Sequence, residues 1–222
     1  MSAFDPSRRS KLSRHDLGRF AGDTLFSRIA RQVCSAECLP RKELYEAWEV
    51  ARRTRRRFRG GRVIDLACGH ALLAHLLLVL DDSSQAALAV DTRLPSSAAQ
   101  LSAAMLTEWP RLVGRVTFVE APLASVDVQS NDLLVSCHAC GSLTDEVLGR
   151  AISVGARVVV LPCCHEKLEN DQGGLGGWLE PALAIDVTRT ARLRAHGYAV
   201  HTQTIPAEIT PKNRLLLAER RA

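Results

Sequence analysis

Short apolar runs and helical stretches alternate along the middle of the sequence. Five runs rich in valine, leucine and isoleucine are separated by segments long enough for a helix; they occupy residues 62–66, 86–91, 116–119, 132–136 and 157–161. Strands that alternate with helices predict right-handed βαβ units and a parallel sheet buried on both faces. Two more strands are predicted at 198–205 and 214–218, and the short linker between them predicts a hairpin. We therefore expect an α/β fold with a doubly wound seven-stranded sheet, mostly parallel with one antiparallel edge strand, plus N-terminal helices.

The helices are predicted from apolar residues at helical spacing. Before the sheet, one helix is expected from Leu17 to about Val33, and a second from Lys42 toward Arg57, which Gly60 and Gly61 end. Further helices are expected at 72–80, 98–105, 143–152 and 186–196. This pattern predicts two parts, a basic helical segment over residues 1–61 and the α/β domain over 62–222.

Positive charge is concentrated in the first of these parts. The chain of 222 residues carries a net charge of +5, but residues 1–62 carry +9 and residues 63–222 carry −4. Seven arginines fall between residues 52 and 62, and arginine's planar fork suits phosphate oxygens. Such a block is typical of a polyanion binder, although a solvated helix face is the alternative. The candidate substrate-binding residues in the block are Arg52, Arg55, Arg56 and Arg59.

Several classes of protein are excluded by simple features. The longest apolar run, residues 71–80, is too short to span a bilayer, and no signal peptide is visible, so we expect a cytoplasmic protein without membrane contact. Seven cysteines, an odd number, argue against a disulfide framework. The turn after the first strand has one glycine, Gly69, where a dinucleotide fingerprint needs three, and no P-loop lysine follows it.

That turn carries the strongest local motif. A buried strand ends in Asp65-Leu-Ala67, and the small residues Cys68, Gly69 and Ala71 lead into a helix. Small residues are needed where the body of a ligand lies against the backbone. The segment resembles the first motif of class I S-adenosylmethionine-dependent methyltransferases, roughly D-x-G-x-G-x-G, with Ala67 and Ala71 at the first and third glycines.

This resemblance implies a Rossmann-like fold, S-adenosylmethionine as cofactor and S-adenosylhomocysteine as product. Asp65, Ala67, Cys68 and Gly69 would form the cofactor turn, and Asp91, which ends the second strand, would accept from both ribose hydroxyls. The acid that often binds adenine is missing, because Pro122 stands there. Glu120 or the backbone N–H of Leu123 could substitute, and Ser136 and Cys137 would lie near the methyl-bearing sulfur.

Two groups of cysteine and histidine follow the fourth and fifth strands. They are Cys137-His138-Ala-Cys140 and Cys163-Cys164-His165. Together with residues 209–216, which include Asn213, they resemble one branch of the superfamily over roughly residues 42–220. That branch includes tRNA ribose 2′-O-methyltransferases and a methyltransferase domain attached to a glutathione-transferase-like module. Asn213 is a further candidate for substrate binding.

Three interpretations of these groups remain open. Cys137, Cys140, Cys163, Cys164 and His165 could bind zinc. The cysteines could instead pack tightly around cofactor and substrate, which we favour, and we assign no metal. A histidine could also help to deprotonate the nucleophile, His138 being the better candidate and His165 the second.

The predicted function is methyl transfer from S-adenosylmethionine, with RNA (tRNA or rRNA) as acceptor. The alternatives are a small-molecule or protein acceptor, or a non-catalytic module of the same fold that binds the cofactor or zinc.

Overall fold

The computed structural model describes residues 5–166 and 169–221, and it contains one seven-stranded sheet. The strands are β1 (Val63–Leu66), β2 (Ala87–Asp91), β3 (Val116–Glu120), β4 (Leu133–Ser136), β5 (Arg157–Val160), β6 (Tyr198–Thr204) and β7 (Arg214–Arg220). The helices are α1 (Leu25–Ala36), α2 (Arg41–Arg57), α3 (Leu72–Leu80), α4 (Ala98–Glu108), α5 (Ser142–Val154) and α6 (Pro181–Ala195). Short 3₁₀ helices, among them Arg14–Phe20, complete the chain.

The strand order is β3-β2-β1-β4-β5-β7-β6, and the first five strands are parallel. The order reverses between β1 and β4, which is where ligands bind in open sheets of this kind. The predicted fold class, a mostly parallel seven-stranded sheet with an antiparallel strand at one end, is confirmed. In detail, the antiparallel strand β7 lies one position inside the outermost strand β6. β7 is apolar and buried over Leu215–Ala218, whereas the end of β6 is polar and exposed, so β6 is better suited to the edge.

Helices cover both faces of the sheet, as a buried parallel sheet requires. Successive side chains alternate between two cores: Val63 packs with α1, α2, α3 and α4, and Ile64 packs with α5 and α6. The N-terminal helices therefore share one core with the sheet. No helix within the described residues combines the length and the apolar character needed to cross a membrane.

The prediction of one continuous helix from Leu17 to Val33 is wrong. A 3₁₀ helix ends at Phe20, and α1 begins only at Leu25. The break follows from a local cap, because the Thr24 side chain accepts a hydrogen bond from the Ser27 N–H at 3.1 Å. Helix α6 also begins earlier than predicted, with Pro181 in its first turn and Glu180 as its cap.

The arginine block is largely built into this framework. Arg55 is only 3% exposed; it donates to the Leu77 carbonyl and the Ser84 hydroxyl and lies 3.2 Å from the carboxylate of Asp81. The prediction that Arg55 binds a polyanion is therefore wrong, because a buried guanidinium with partners inside the protein cannot reach a phosphate. Arg57 pairs with Glu219, Arg59 with Asp81 and Arg62 with Asp132.

These partners place the end of the block at the amino edge of the sheet. Leu77 and Asp81 lie at the end of α3, which returns from the carboxyl edge of β1 toward the start of β2, and Asp132 immediately precedes β4. Ligands of such sheets bind at the opposite, carboxyl edge.

We expect Arg55→Ala to lower the free energy of unfolding by about 3–5 kcal/mol, because it leaves the buried carboxylate of Asp81 without its closest cation. Urea denaturation measures this change. The matched control is Arg56→Ala, since Arg56 is exposed on the same helix, and its effect should stay within about 0.5 kcal/mol. Equal effects of the two substitutions would contradict the structural role of Arg55.

Candidate active site at the carboxyl edge

The turn between β1 and α3 is left-handed at three alternate positions. The φ angles are 55° at Ala67, 52° at Gly69 and 59° at Ala71. Besides these two alanines, only Glu37 among the described non-glycine residues has a positive φ. A side chain in this conformation costs roughly 1–2 kcal/mol. Strain of this kind at two nearby alanines is typical of functional sites.

Two carboxylates at the ends of neighbouring strands hold this turn. Asp65 Oδ2 accepts from the Ala74 N–H at 3.1 Å and so caps α3. Asp91 Oδ2 accepts from the Gly69 N–H at 3.0 Å. Asp65 is buried, which raises its pKa well above the usual value for aspartate. Asp91 is half-buried, so its carboxylate remains accessible beside the turn.

The surface of the turn is open at Gly69. A Cβ placed on Gly69 would meet no atom within 4 Å, so the missing side chain leaves room for a ligand against the backbone. The turn itself is anchored from behind, since the Cys68 N–H donates to the Val90 carbonyl at 3.0 Å. Burial raises the pKa of Cys68.

The end of β3 completes this half of the site. Glu120 lies beside Asp91 in the strand register, and its carboxylate accepts from the Leu94 N–H at 3.0 Å. Leu123 is buried and begins a 3₁₀ turn three residues later. The structure thus brings Asp65, Ala67, Cys68, Gly69, Asp91 and Glu120 together at one edge, with Leu123 close behind in the chain.

The end of β4 supplies the remaining predicted residues. Ser136 is buried and its Oγ accepts from the Ala139 N–H at 3.1 Å, so it holds the loop rather than facing solvent. Cys137 and His138 line a small cavity of about 40 Å³ together with Asp65 and Gly69. His138 is half-buried there.

Glu43 of α2 lines the same cavity and was missed by the sequence analysis. Burial raises the pKa of Glu43, and the neighbouring His138 counteracts this shift. Leu39, just before α2, and Glu43 and Ala47 within it all line the cavity. The sequence signal was an acid with an apolar residue four positions away on either side.

His165 lies in a different environment. Its Nε2 is 2.8 Å from Oδ1 of Asp186, and Arg214 donates to Oδ2 of the same carboxylate at 2.6 Å. Burial alone would raise the pKa of Asp186, but His165 and Arg214 together lower it. Asp186 therefore stays ionised and fixes the His165 ring, so that this histidine is oriented by a carboxylate and His138 is not.

A larger cavity of about 540 Å³ opens beside this pair. It lies between α6 and the β6–β7 hairpin, at the carboxyl edge, and includes Pro162, Asp186, Arg214 and Thr204 in its lining. Its volume falls in the range of small-molecule pockets. Asn213 lies close by in the chain, but its side chain donates to the Ile205 carbonyl at 3.0 Å and closes the hairpin.

Three of the predicted cysteines converge near the same loops. The Sγ atoms of Cys140, Cys163 and Cys164 all lie within 4.8 Å of one another, and Cys137 lies outside this group. Partial burial would raise the pKa of Cys164, but hydrogen bonding to Cys140 and Cys163 and the ammonium of Lys212 lower it.

The basic residues near the carboxyl edge differ from those that the charge pattern singled out. Arg9, Lys11 and Arg93 are exposed, and their side chains have no partner among residues 5–166 and 169–221. The backbone of Lys11 pairs with that of Pro40, which lies just before α2. Burial lowers the pKa of His70, which lines the small cavity, and the positive charge of Lys11 lowers it further. Arg52 and Arg53, in contrast, both pair with Glu49.

We expect Ala67→Gly to raise the free energy of unfolding by about 0.5 kcal/mol, since relief of the left-handed strain exceeds the entropy that glycine loses on folding. Chemical denaturation measures it. The matched control is Ala99→Gly in the right-handed α4, which should lower the same quantity by about 1 kcal/mol. Losses of equal size at both positions would show that the turn is not strained.

Comparison with known proteins identifies the fold and the family. The family described as "Methyltransferase domain" (Methyltransf_32) matches residues 42–171, more than half of the chain. No curated protein matches the chain.

Solved structures share the architecture at low sequence identity. An O-methyltransferase family protein from Burkholderia thailandensis is 18% identical with a TM-score of 0.50, covering 93% of this chain and 63% of its own. Precorrin-6y C5,15-methyltransferase from Geobacter metallireducens GS-15 is 16% identical with a TM-score of 0.51 (78% and 88%). TrmK from M. capricolum, in complex with the cofactor product S-adenosylhomocysteine, is 13% identical with a TM-score of 0.50 (77% and 66%).

The open turn at Gly69 and the accessible carboxylate of Asp91 fit S-adenosylmethionine, the cofactor expected of a methyltransferase domain. The residues that hold this turn, from β1 to the end of β4, all fall within the matched range. The chain therefore belongs to the Methyltransf_32 family of methyltransferase domains.

Proposed function

We propose that this protein transfers the methyl group of S-adenosylmethionine to RNA. The observation that carries the methyl-transfer part is the left-handed turn at Ala67, Gly69 and Ala71, with the carboxylate of Asp91 fixed to the Gly69 N–H beside it. RNA as acceptor is supported by the unpaired basic side chains around that edge.

The cofactor supplies an electrophilic methyl group on a positively charged sulfur. Asp91 would bind its ribose hydroxyls, since two carboxylate oxygens can accept from a vicinal diol. The turn at Gly69 would hold its amino-acid part against the backbone, and Glu120 and Leu123 would lie on its adenine side. These residues act by positioning, which is the main requirement of a reaction whose electrophile is already activated.

His138 is the candidate general base. It lines the small cavity next to the cofactor turn, and Glu43 lies in the same cavity, where a carboxylate can stabilise the protonated imidazole. A hydroxyl acceptor needs such help, because it is a poor nucleophile at neutral pH. His165 is tied to Asp186 and is better suited to position an acceptor than to take its proton.

The arginine block contributes less to RNA binding than its charge suggests. Arg53, Arg55, Arg57 and Arg59 are engaged within the protein, and the last three contact residues at the amino edge. Lys11 and Arg93 are exposed beside His70 and Asp91, and Arg9 is exposed two residues before Lys11. With no side-chain partner in the described part of the chain, all three can neutralise phosphates. We therefore assign the RNA-binding role chiefly to these three side chains.

We expect Asp91→Ala to weaken the binding of S-adenosylhomocysteine on the order of ten- to a hundredfold, because it removes hydrogen bonds to a charged acceptor. Isothermal titration calorimetry measures it. Glu146→Ala is the matched control, because Glu146 is an exposed acid on α5, and it should bind as the unaltered protein does. Unchanged affinity in Asp91→Ala would overturn the placement of the cofactor.

We expect the double variant Arg9→Glu with Lys11→Glu to bind RNA more weakly and to flatten the slope of log K against log salt by about 2, one unit for each lost phosphate contact. Filter binding with tRNA or rRNA over a salt series measures both. Arg56→Glu is the control, because it reverses a charge away from the cofactor turn. It should leave both the affinity for RNA and the salt slope nearly unchanged.

Methyl transfer from labelled cofactor into fractionated RNA, protein and small molecules provides the second readout. Label in RNA supports the proposal. Label in small molecules alone would overturn it in favour of an acceptor that enters the 540 Å³ cavity beside Asp186 and Arg214.

A further inference from the structure

Three cysteine side chains meet between the loop that follows β4 and the loop that follows β5. We propose that Cys140, Cys163 and Cys164 bind a thiophilic divalent metal ion of the zinc class. The site lies at the carboxyl edge of the sheet, next to the residues assigned to methyl transfer. It is distinct from the cofactor turn, and neither proposal depends on the other.

The separation of the sulfur atoms is close to that of a metal site. All three Sγ atoms lie within 4.8 Å of one another, with 3.8 Å between Cys163 and Cys164 and 2.9 Å between Cys140 and Cys163. Two thiolates that bind one zinc ion at about 2.3 Å with tetrahedral angles lie about 3.8 Å apart. The Cys163–Cys164 pair has this spacing, and the exposed Cys140 has to move by only about 1 Å to reach it.

The two loops are held together by bonds that do not involve sulfur. The Gly141 N–H donates to the Cys164 carbonyl at 3.2 Å, and Arg189 donates to the Gly141 carbonyl at 3.0 Å. Arg189 also forms a two-pronged ion pair with Asp145, at 2.9 and 2.7 Å. The backbone on both sides of the cluster is thus fixed before any ion binds, which lowers the entropy cost of assembling the ligands.

The surroundings suit a metal that enters from solution. Cys140 is exposed and Cys163 and Cys164 are half-buried, so the cluster is accessible. Each thiol that binds releases its proton to solvent, and three thiolates around a dication carry one net negative charge. The Lys212 ammonium lies 3.7 Å from the Cys164 sulfur and balances that charge.

The structure removes two of the five zinc ligands that the sequence suggested. Cys137 is buried outside the cluster, and the Nε2 atom of His165 is engaged by Asp186. Three protein ligands leave the fourth position of a tetrahedral ion open to water or to an atom of a substrate.

The test uses the full chain, reduced with a phosphine that does not chelate metals. Titration with Co²⁺ should produce a thiolate-to-cobalt charge-transfer band that saturates at one ion per chain, and Zn²⁺ should displace the cobalt and abolish the band. Elemental analysis after gel filtration should give the same stoichiometry for zinc. These readouts do not require methyl transfer, so they remain decisive if the proposed function fails.

Variants assign the ligands. Cys163→Ser and Cys140→Ser should each weaken Co²⁺ binding on the order of a hundredfold or more, because each removes one thiolate. Cys38→Ala, which removes a buried thiol near α1, is the matched control and should bind as the unaltered protein does. Cys140→Ser tests the proposal even if Cys163→Ser fails to fold, since Cys140 is exposed.

Three outcomes would overturn the metal site. They are the absence of a charge-transfer band, a band that survives both serine variants, and tryptic mass spectrometry that finds a Cys140–Cys163 disulfide in protein that takes up no zinc after reduction.

Discussion

Two aspartates at the ends of adjacent parallel strands determine the shape of the turn between β1 and α3. Asp65 holds the first turn of α3 and Asp91 holds Gly69, so the chain between β1 and α3 is fixed from both sides. Three left-handed residues are tolerated only because these bonds, and the Cys68 bond to β2, over-determine the turn. Since α3 leaves the sheet at this turn and α2 packs beside α3, the direction of both helices also follows from it.

The carboxyl edge is divided into two parts with different physical character. Around the turn between β1 and α3, backbone N–H groups donate to the side chains of Asp65 and Asp91. The surface of the turn at Gly69 stays open. Around α6 the side chains instead form a closed network, in which Arg189 joins Asp145 to Asp186 and Asp186 holds His165. The two histidines that the sequence suggested for catalysis therefore lie in different surroundings: His138 shares a small cavity with Glu43, and His165 is fixed by Asp186.

Most of the fold could be predicted because the signals are local. The strands are short apolar runs, since a parallel sheet buries both faces. All seven predicted strands and three of the predicted helices agree with the structure to within about two residues at each end. The tight turn between β1 and α3 was predictable from its small residues, and its role in cofactor binding stays a prediction. The roles of the arginines were not, because the partner of Arg55 lies beyond α3 and the partner of Arg57 lies in β7. Glu43 and the His165–Asp186 pair depend on packing between elements distant in sequence, which no spacing pattern reveals.

The position of β7 has a consequence for how the protein forms. Within the described residues β6 pairs with β7 alone, and β7 lies between β6 and β5. During synthesis β6 leaves the ribosome first, yet it has nothing to pair with until the later strand emerges and inserts beside β5. Translation proceeds at about 5–20 residues per second, so this polar strand waits for a second or more as an unpaired segment. The sheet is therefore completed only after β7 has been synthesised, and β6 stays an unpaired segment in the interval between the two strands.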